Sequence, residues 1–167
     1  VCGAGGMSLG FIQAGFKPVG ALDLEPWACK TYARNLGLTP LNVDAFKVNP
    51  RELYKLFKLS VSTLDVLIAC PPCEPFTSWA KTNGNPSKDR RRLLVPLVAK
   101  FVKALMPRFL VFENVPRLLK PPWWDYFDAL VTELKRLKYS CEWKVINAVK
   151  YGVPQQRRRL ILVATYL

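Results

Sequence analysis

A chain of 167 residues, 50% apolar and 22% charged, is long enough for one domain with a real core and excludes a disordered tail. Its 25 Lys and Arg against 12 Asp and Glu leave a formal charge of +13, a field that draws polyanions, nucleic acid first, or else simply solvates a surface. The lack of histidine excludes a Ser-His-Asp triad, a His-activated thiol and a His-ligated metal within these residues, and no apolar run reaches the roughly 18–20 residues of a membrane span.

The sequence opens on Val1-Cys2-Gly3-Ala4-Gly5-Gly6-Met7-Ser8-Leu9-Gly10. Glycines at 3, 5 and 6 let the backbone turn sharply and approach a ligand, and Ser8 is placed to cap the helix that follows. The spacing is not G-x-G-x-x-G, which needs glycine where Ser8 stands, and it lacks the Lys-Ser/Thr of a P-loop. A plain tight turn accounts for it as well as a nucleotide-type loop does. Lys17–Asp23 is predicted as a strand ending in an acid, and Pro26–Leu36 as a helix with proline at its first position. Asp23 suits a ribose diol, and Asp44, in Asn42-Val43-Asp44-Ala45-Phe46, could accept from an adenine amino group. A helix cap or a surface acid explains either one singly. Pro50–Leu59 is a second predicted helix.

Leu64–Cys70 reads as a buried strand of the parallel-sheet kind. Pro71-Pro72-Cys73-Glu74-Pro75-Phe76-Thr77 follows directly, with prolines on both sides of Cys73 holding its thiol in a rigid turn. A thiolate there becomes a strong nucleophile once positive neighbours lower its pKa. A buried inert cysteine, or a redox pair of Cys70 and Cys73, are the competing readings. With no basic stretch in Val1–Gly10, the five cysteines read as reduced thiols of a cytoplasmic protein, and one C-x-x-C without histidine is a poor zinc site.

Lys81–Arg92 is polar and turn-rich, a predicted mobile loop. Arg90–Met106 has helical periodicity, with Pro96 expected to end or kink one turn. Phe109–Glu113 is a further buried strand, and Glu113-Asn114-Val115-Pro116 sets a carboxyl on the same sheet edge as Cys73, one strand over. Buried beside a thiol, Glu113 would have a raised pKa and could donate a proton to a substrate ring. Trp123–Leu137 is an amphipathic helix. Tyr139–Val149 and Arg159–Leu167 are two closing strands, with Gln155, Arg157 and Arg159 alternating onto one face of the entering chain. The β-α-β-α order predicts one α/β domain over 1–167. Its sheet is doubly wound and mostly parallel, with helices on both faces. Asp23, Asp44, Cys73 and Glu113 all fall at the carboxyl ends of its strands.

Six of these segments, in this order, resemble the motifs of the C5-cytosine-specific DNA methyltransferase family: CGAGGMSLGF, LDLEPWACKTYARN, NVDAF, DVLIACPPCEPFT, FLVFENV and GVPQQRRRLILV. The resemblance implies a Rossmann-like class I fold whose last strand is antiparallel, S-adenosylmethionine as cofactor, and DNA as substrate, with tRNA as the alternative. It implies methyl transfer to cytosine C5 through addition of Cys73 to C6 of a flipped-out base. Val1, Ala4, Gly5 and Gly6 would then line the cofactor. Asp23 would hold its ribose, Leu24 would lie on the adenine, Asp44 and Ala45 would read the adenine edge, and Pro72 would line the methyl-donor pocket. Cys73 would be the nucleophile and Glu113 the partner of cytosine N3, with Arg157 and Arg159 supporting the base and the Cys73 environment. Glu74 stands where the family usually has Gln and is expected to weaken nucleic-acid contact. Residues are expected before Val1, where the first motif is cut. The family's target-recognition domain and last two motifs have no counterpart in these residues; either a partner chain would supply them, or this is a truncated, reduced or inactive form. A cofactor- or nucleic-acid-binding subunit without turnover is the other reading.

Overall fold

The computed structural model describes residues 1–59, 64–77 and 89–167. Two compact units divide the chain, Val1–Val61 and Ser62–Leu167.

The first unit runs α1 (Gly6–Gln13), β1 (Leu22–Asp23), α2 (Pro26–Leu36), β2 (Leu41–Asn42) and α3 (Glu52–Leu56). β1 and β2 pair in parallel, with Asp23 opposite Asn42. α2 spans the predicted range because both of its ends are written locally. Pro26 supplies a preset φ at the first position, and Gly37 closes the helix in the left-handed conformation, its N–H bonded to the Ala33 carbonyl at 2.9 Å. Ala28, Cys29 and Tyr32 form its buried face. α1 departs from expectation. Gly5, at φ +92°, is the residue that starts the helix, and no side chain caps it. Ser8 therefore lies inside the first turn, where its Oγ accepts from the Tyr32 hydroxyl at 3.0 Å. The strand and helix expected at Lys17–Asp23 and Pro50–Leu59 shrink to two and five residues.

The second unit contains β3 (Val66–Ala69), α4 (Leu94–Leu105), β4 (Phe109–Asn114), α5 (Trp124–Arg136), β5 (Tyr139–Asn147) and β6 (Arg158–Tyr166). Sheet order is β3-β4-β6-β5. β3 and β4 are parallel, and β6 runs antiparallel to both its neighbours, so the closing strand alone is reversed, as expected. β4 alternates strictly: Leu110, Phe112 and Asn114 are buried on one face and Glu113 lies on the other. The buried face packs with Val95, Val98 and Val102 of α4, with Phe127, Leu130 and Leu134 of α5, and with Leu160 and Leu162 of β6. Pro96 sits in the first turn of α4, where a missing N–H is tolerated. The expected local break lies just before it, where the 3-10 turn Arg90–Leu93 gives way to α-helix. Of the predicted loop Lys81–Arg92, positions 81–88 lie outside the described residues. Its end is a capped turn rather than a loose one, since Asp89 accepts from the Arg91 N–H at 2.9 Å. Among the described residues no helix is long and apolar enough to cross a membrane.

Candidate active site

After β3 the chain turns through Cys70-Pro71-Pro72-Cys73 into a 3-10 turn at Glu74–Phe76. The Phe76 N–H donates to the Cys73 carbonyl at 3.0 Å, and Pro75 fills a position that needs no donor. Phe76 is fully buried, its ring centroid 5.6 Å from that of Trp123 and 6.2 Å from that of Tyr126. Asn114, at 0% exposure, ends β4 with both halves of its amide engaged. Its Nδ2 donates to the Pro71 carbonyl at 3.2 Å, and its Oδ1 accepts from the Val115 N–H at 2.9 Å. The thiol turn is thus fastened to the neighbouring strand. On the opposite face of β4, the Glu113 Oε1 accepts from the Arg159 Nε at 2.8 Å, each side chain about a quarter exposed (24% and 21%). Glu113 lies opposite Ile161, which makes Arg159 its diagonal neighbour on the same face.

These contacts revise three sequence expectations. Burial, then the Glu74 carboxylate, push the Cys73 thiol above its ordinary range; Arg159 pulls it down and Glu113 adds to the push. The positive neighbour exists, but desolvation and the adjacent acid outweigh it. Glu113 is not isolated beside a thiol: it is partly exposed and ion-paired. Of the two arginines only Arg159 reaches it, because β6 begins at Arg158. Arg157 lies outside the strand with an exposed side chain, its backbone N–H donating to Asn147 Oδ1 at 3.0 Å. Cys70 is pushed up to about 12, by burial and then by Glu113, which makes it a poor attacking thiol. Glu74 is exposed and stands 3.8 Å from Arg91 Nη1, an arginine itself held by Asp89 at 2.7 Å.

In the first unit the glycine loop lies on the end of β1. The Gly3 N–H donates to Asp23 Oδ2 at 2.9 Å and the Glu25 N–H to Asp23 Oδ1 at 3.0 Å, while the Cys2 N–H bonds the Leu22 carbonyl at 3.0 Å. Asp23 is therefore first a structural fastener. Each of its oxygens accepts one backbone donor and keeps capacity for another. Asn42 Nδ2 donates to the carbonyls of Asp23 and Leu24, and Asn35 Nδ2 to that of Ala4. Gly5 is buried, and a Cβ there would lie 2.7 Å from Leu36 Cδ1, so packing as well as its backbone conformation demands glycine. A Cβ at Gly3 or Gly6 would meet nothing within 4 Å, which leaves that edge of the loop open. Leu24 exposes 53% of its surface next to Asp23. Asp44 Oδ1 accepts from the Phe46 N–H at 3.0 Å, with half-buried Ala45 between them. An acid with spare acceptor capacity, an exposed apolar side chain beside it and an open glycine edge fit an adenosine. Among the described residues no group of three His, Cys, Asp or Glu is placed to hold a metal ion.

The three asparagines that fasten the loops, Asn35, Asn42 and Asn114, have no role predicted from the sequence. The signals that point to them are their places inside the LDLEPWACKTYARN, NVDAF and FLVFENV segments and their position, each next to a strand end or a helix end.

A glycine loop ahead of a helix, an acid closing the next strand and a thiol turn closing a parallel one are features of an α/β class I methyltransferase. The chain belongs to the C-5 cytosine-specific DNA methylase family, which it matches over residues 1–166. It is 33% identical over 162 residues to the type II methyltransferase M1.HphI of Haemophilus parahaemolyticus, covering 96% of this chain and 43% of that protein. It is 31% identical over 174 residues to M.AquIA of a Picosynechococcus species, covering 99% and 69%. The chain thus spans less than half the length of the first relative. Among solved structures, a protein described as a DNA modification methyltransferase encoded within an E. coli prophage superposes with a TM-score of 0.84 at 25% identity, over 99% of this chain and 44% of that one. The S. pombe Dnmt2 methyltransferase shares the fold, at a TM-score of 0.74 and 20% identity, over 99% and 47%.

Proposed function

We propose that this chain carries the catalytic core of an enzyme that transfers a methyl group from S-adenosylmethionine to C5 of cytosine in DNA. The observation that carries the reading is the fastening of the Cys73 turn, through Asn114, to the strand that bears the Arg159-paired Glu113. When bound, S-adenosylmethionine supplies an electrophilic methyl group. Val1, Ala4 and Gly6 would lie along it, Asp23 would accept from its ribose hydroxyls, Leu24 would cover the adenine, Asp44 and Ala45 would meet the adenine edge, and Pro72 would wall the methyl side.

Cytosine C5 is too electron-poor to attack a sulfonium methyl unaided. Cys73 gives up its proton to solvent and its Sγ bonds to C6, so the C5=C6 pair shifts to C5 and makes it nucleophilic. Glu113 faces N3 and stabilises the charge that develops on the ring, while Arg159 fixes the orientation of that carboxyl. C5 takes up the methyl, whose bonding pair would remain on the donor sulfur as a neutral thioether; the C5 proton then leaves to solvent, its bonding pair re-forms C5=C6, and the C6–S bond breaks to free the thiolate. The base must leave the helical stack to reach the thiol.

The test uses a duplex carrying 5-fluorocytosine, which lacks the C5 proton that must leave, together with S-adenosylmethionine. The parent chain forms a denaturation-resistant adduct. Cys73→Ser forms none, while calorimetry still detects S-adenosylmethionine binding. An adduct with the serine variant would refute the role of Cys73. Loss of cofactor binding in that variant would make the thiol structural. Cofactor binding without any adduct in the parent would make the chain a binding subunit.

A further inference from the structure

We propose that the turn after β4 is a phosphate-gripping site, in which Arg117 and Lys120 take a backbone phosphate of the DNA strand whose cytosine is presented to Cys73 and Glu113. The inference rests on the proposed function for the identity of the strand. An open concavity of about 310 Å³ is lined by Arg117, Lys120 and Pro121. Neither cation forms an ion pair among the described residues, whereas Arg91, Arg108, Arg136 and Arg159 are each matched with an acid. Two uncompensated positive charges at the mouth of one hollow attract an anion, and a guanidinium fork beside an ammonium suits the two non-bridging oxygens of a phosphodiester.

The turn is fixed relative to the thiol. Pro116 opens it, Leu118 anchors it in the core at 0% exposure, and the Trp123 N–H bonds the Lys120 carbonyl at 2.9 Å. The Trp123 ring in turn packs edge-on against Phe76, three residues after Cys73. Arg117 follows Glu113 by four residues, with Asn114 tying that stretch to Pro71. A phosphate held here therefore stands in fixed register to the reacting side chains. Such a contact positions the strand and reads no bases.

The experiment compares the whole chain with Arg117→Ala/Lys120→Ala and with a control, Lys100→Ala/Lys103→Ala, on the exposed side of α4. Fluorescence anisotropy follows binding to a duplex across a salt series. The slope of log affinity against log salt is expected to shrink by about 0.9 for each lost contact, hence by about 1.8 in the double variant, with the control unchanged. A matched RNA duplex runs in parallel, and a loss confined to RNA would overturn the assignment to DNA. Equal slopes for parent and double variant, or an equal loss in the control, would overturn the site. If the parent still forms the 5-fluorocytosine adduct in that case, the methyltransferase reading stands. Conversely, the slope change without an adduct in the parent keeps the site and removes that reading. Unchanged S-adenosylmethionine binding by calorimetry shows that the double variant is folded, and a variant that has lost it is replaced by Arg117→Gln and Lys120→Gln singly, each expected to lose about 0.9.

Discussion

Replacing Asn114 tests the fastening on which the candidate site depends. Asn114→Ala removes two hydrogen bonds, each contributing about 1 kcal/mol net, and leaves the Pro71 carbonyl and the Val115 N–H without their partner. Because the amide is fully buried, water does not replace it, and the total loss is about 2–4 kcal/mol. For a chain of this length that lowers the melting temperature by about 5–15 °C. Asn114→Asp keeps an acceptor for Val115 but sets a buried carboxylate oxygen against the Pro71 carbonyl. Burial raises the folded-state pKa of such an acid above its unfolded value. Its stabilising contribution is then present below the unfolded pKa of about 4 and lost as pH rises through the folded one, so the Asp variant approaches the parent in acid and falls away at neutral pH. Circular dichroism melts at two pH values, with Cys73 alkylation followed by peptide mass spectrometry, make the measurement. An alanine variant that melts within about 1 °C of the parent, and whose Cys73 reacts at the parent rate, would show that the thiol turn is held by something else.

Two further changes address the electrostatics. Glu74→Gln removes the larger of the two acidic influences that hold the Cys73 thiol up, so the midpoint of its alkylation–pH profile moves to lower pH and the rate at neutral pH rises; an unmoved midpoint would leave burial and Glu113 as the causes and refute the role of Glu74. Asp23→Asn keeps the shape but loses the charge and one acceptor, and S-adenosylmethionine affinity is expected to drop roughly 10- to 100-fold, the equivalent of one charge-assisted hydrogen bond. Unchanged affinity on calorimetry would mean that the ribose is held elsewhere.

What the sequence makes legible follows the range over which each signal acts. α2 can be read to the residue because Pro26 and Gly37 punctuate it locally. β4 can be read because a buried strand needs a run such as Phe109–Glu113. Gly5 defeats the Ser8 cap: a left-handed glycine starts α1 earlier than a side-chain cap would, and nothing in the pattern around Ser8 betrays the Tyr32 hydroxyl bonded to it. The alternation of Gln155, Arg157 and Arg159 fails for a similar reason, since it presumes a strand that in fact begins only at Arg158. The motifs locate Cys73 and Glu113 at strand ends. The balance of burial, Glu74 and Arg159 at the thiol depends on non-local packing, and that is where the sequence misjudges the direction of the shift.

The position of β6 between β4 and β5 bears on how the protein is made. Glu113 and Arg159 are 159 − 113 = 46 residues apart, so at ribosomal speeds of about 5–20 residues per second roughly 2–9 s separate their synthesis. Through that interval a nascent β4 has β3 on one side and an open hydrogen-bonding edge on the other, with Leu110 and Phe112 not yet covered by Leu160 and Leu162. Ribosomal pauses between the codons for these two strands prolong that exposure, and an unpaired apolar edge is a template for another chain. Slower translation of this stretch is thus expected to favour association over folding.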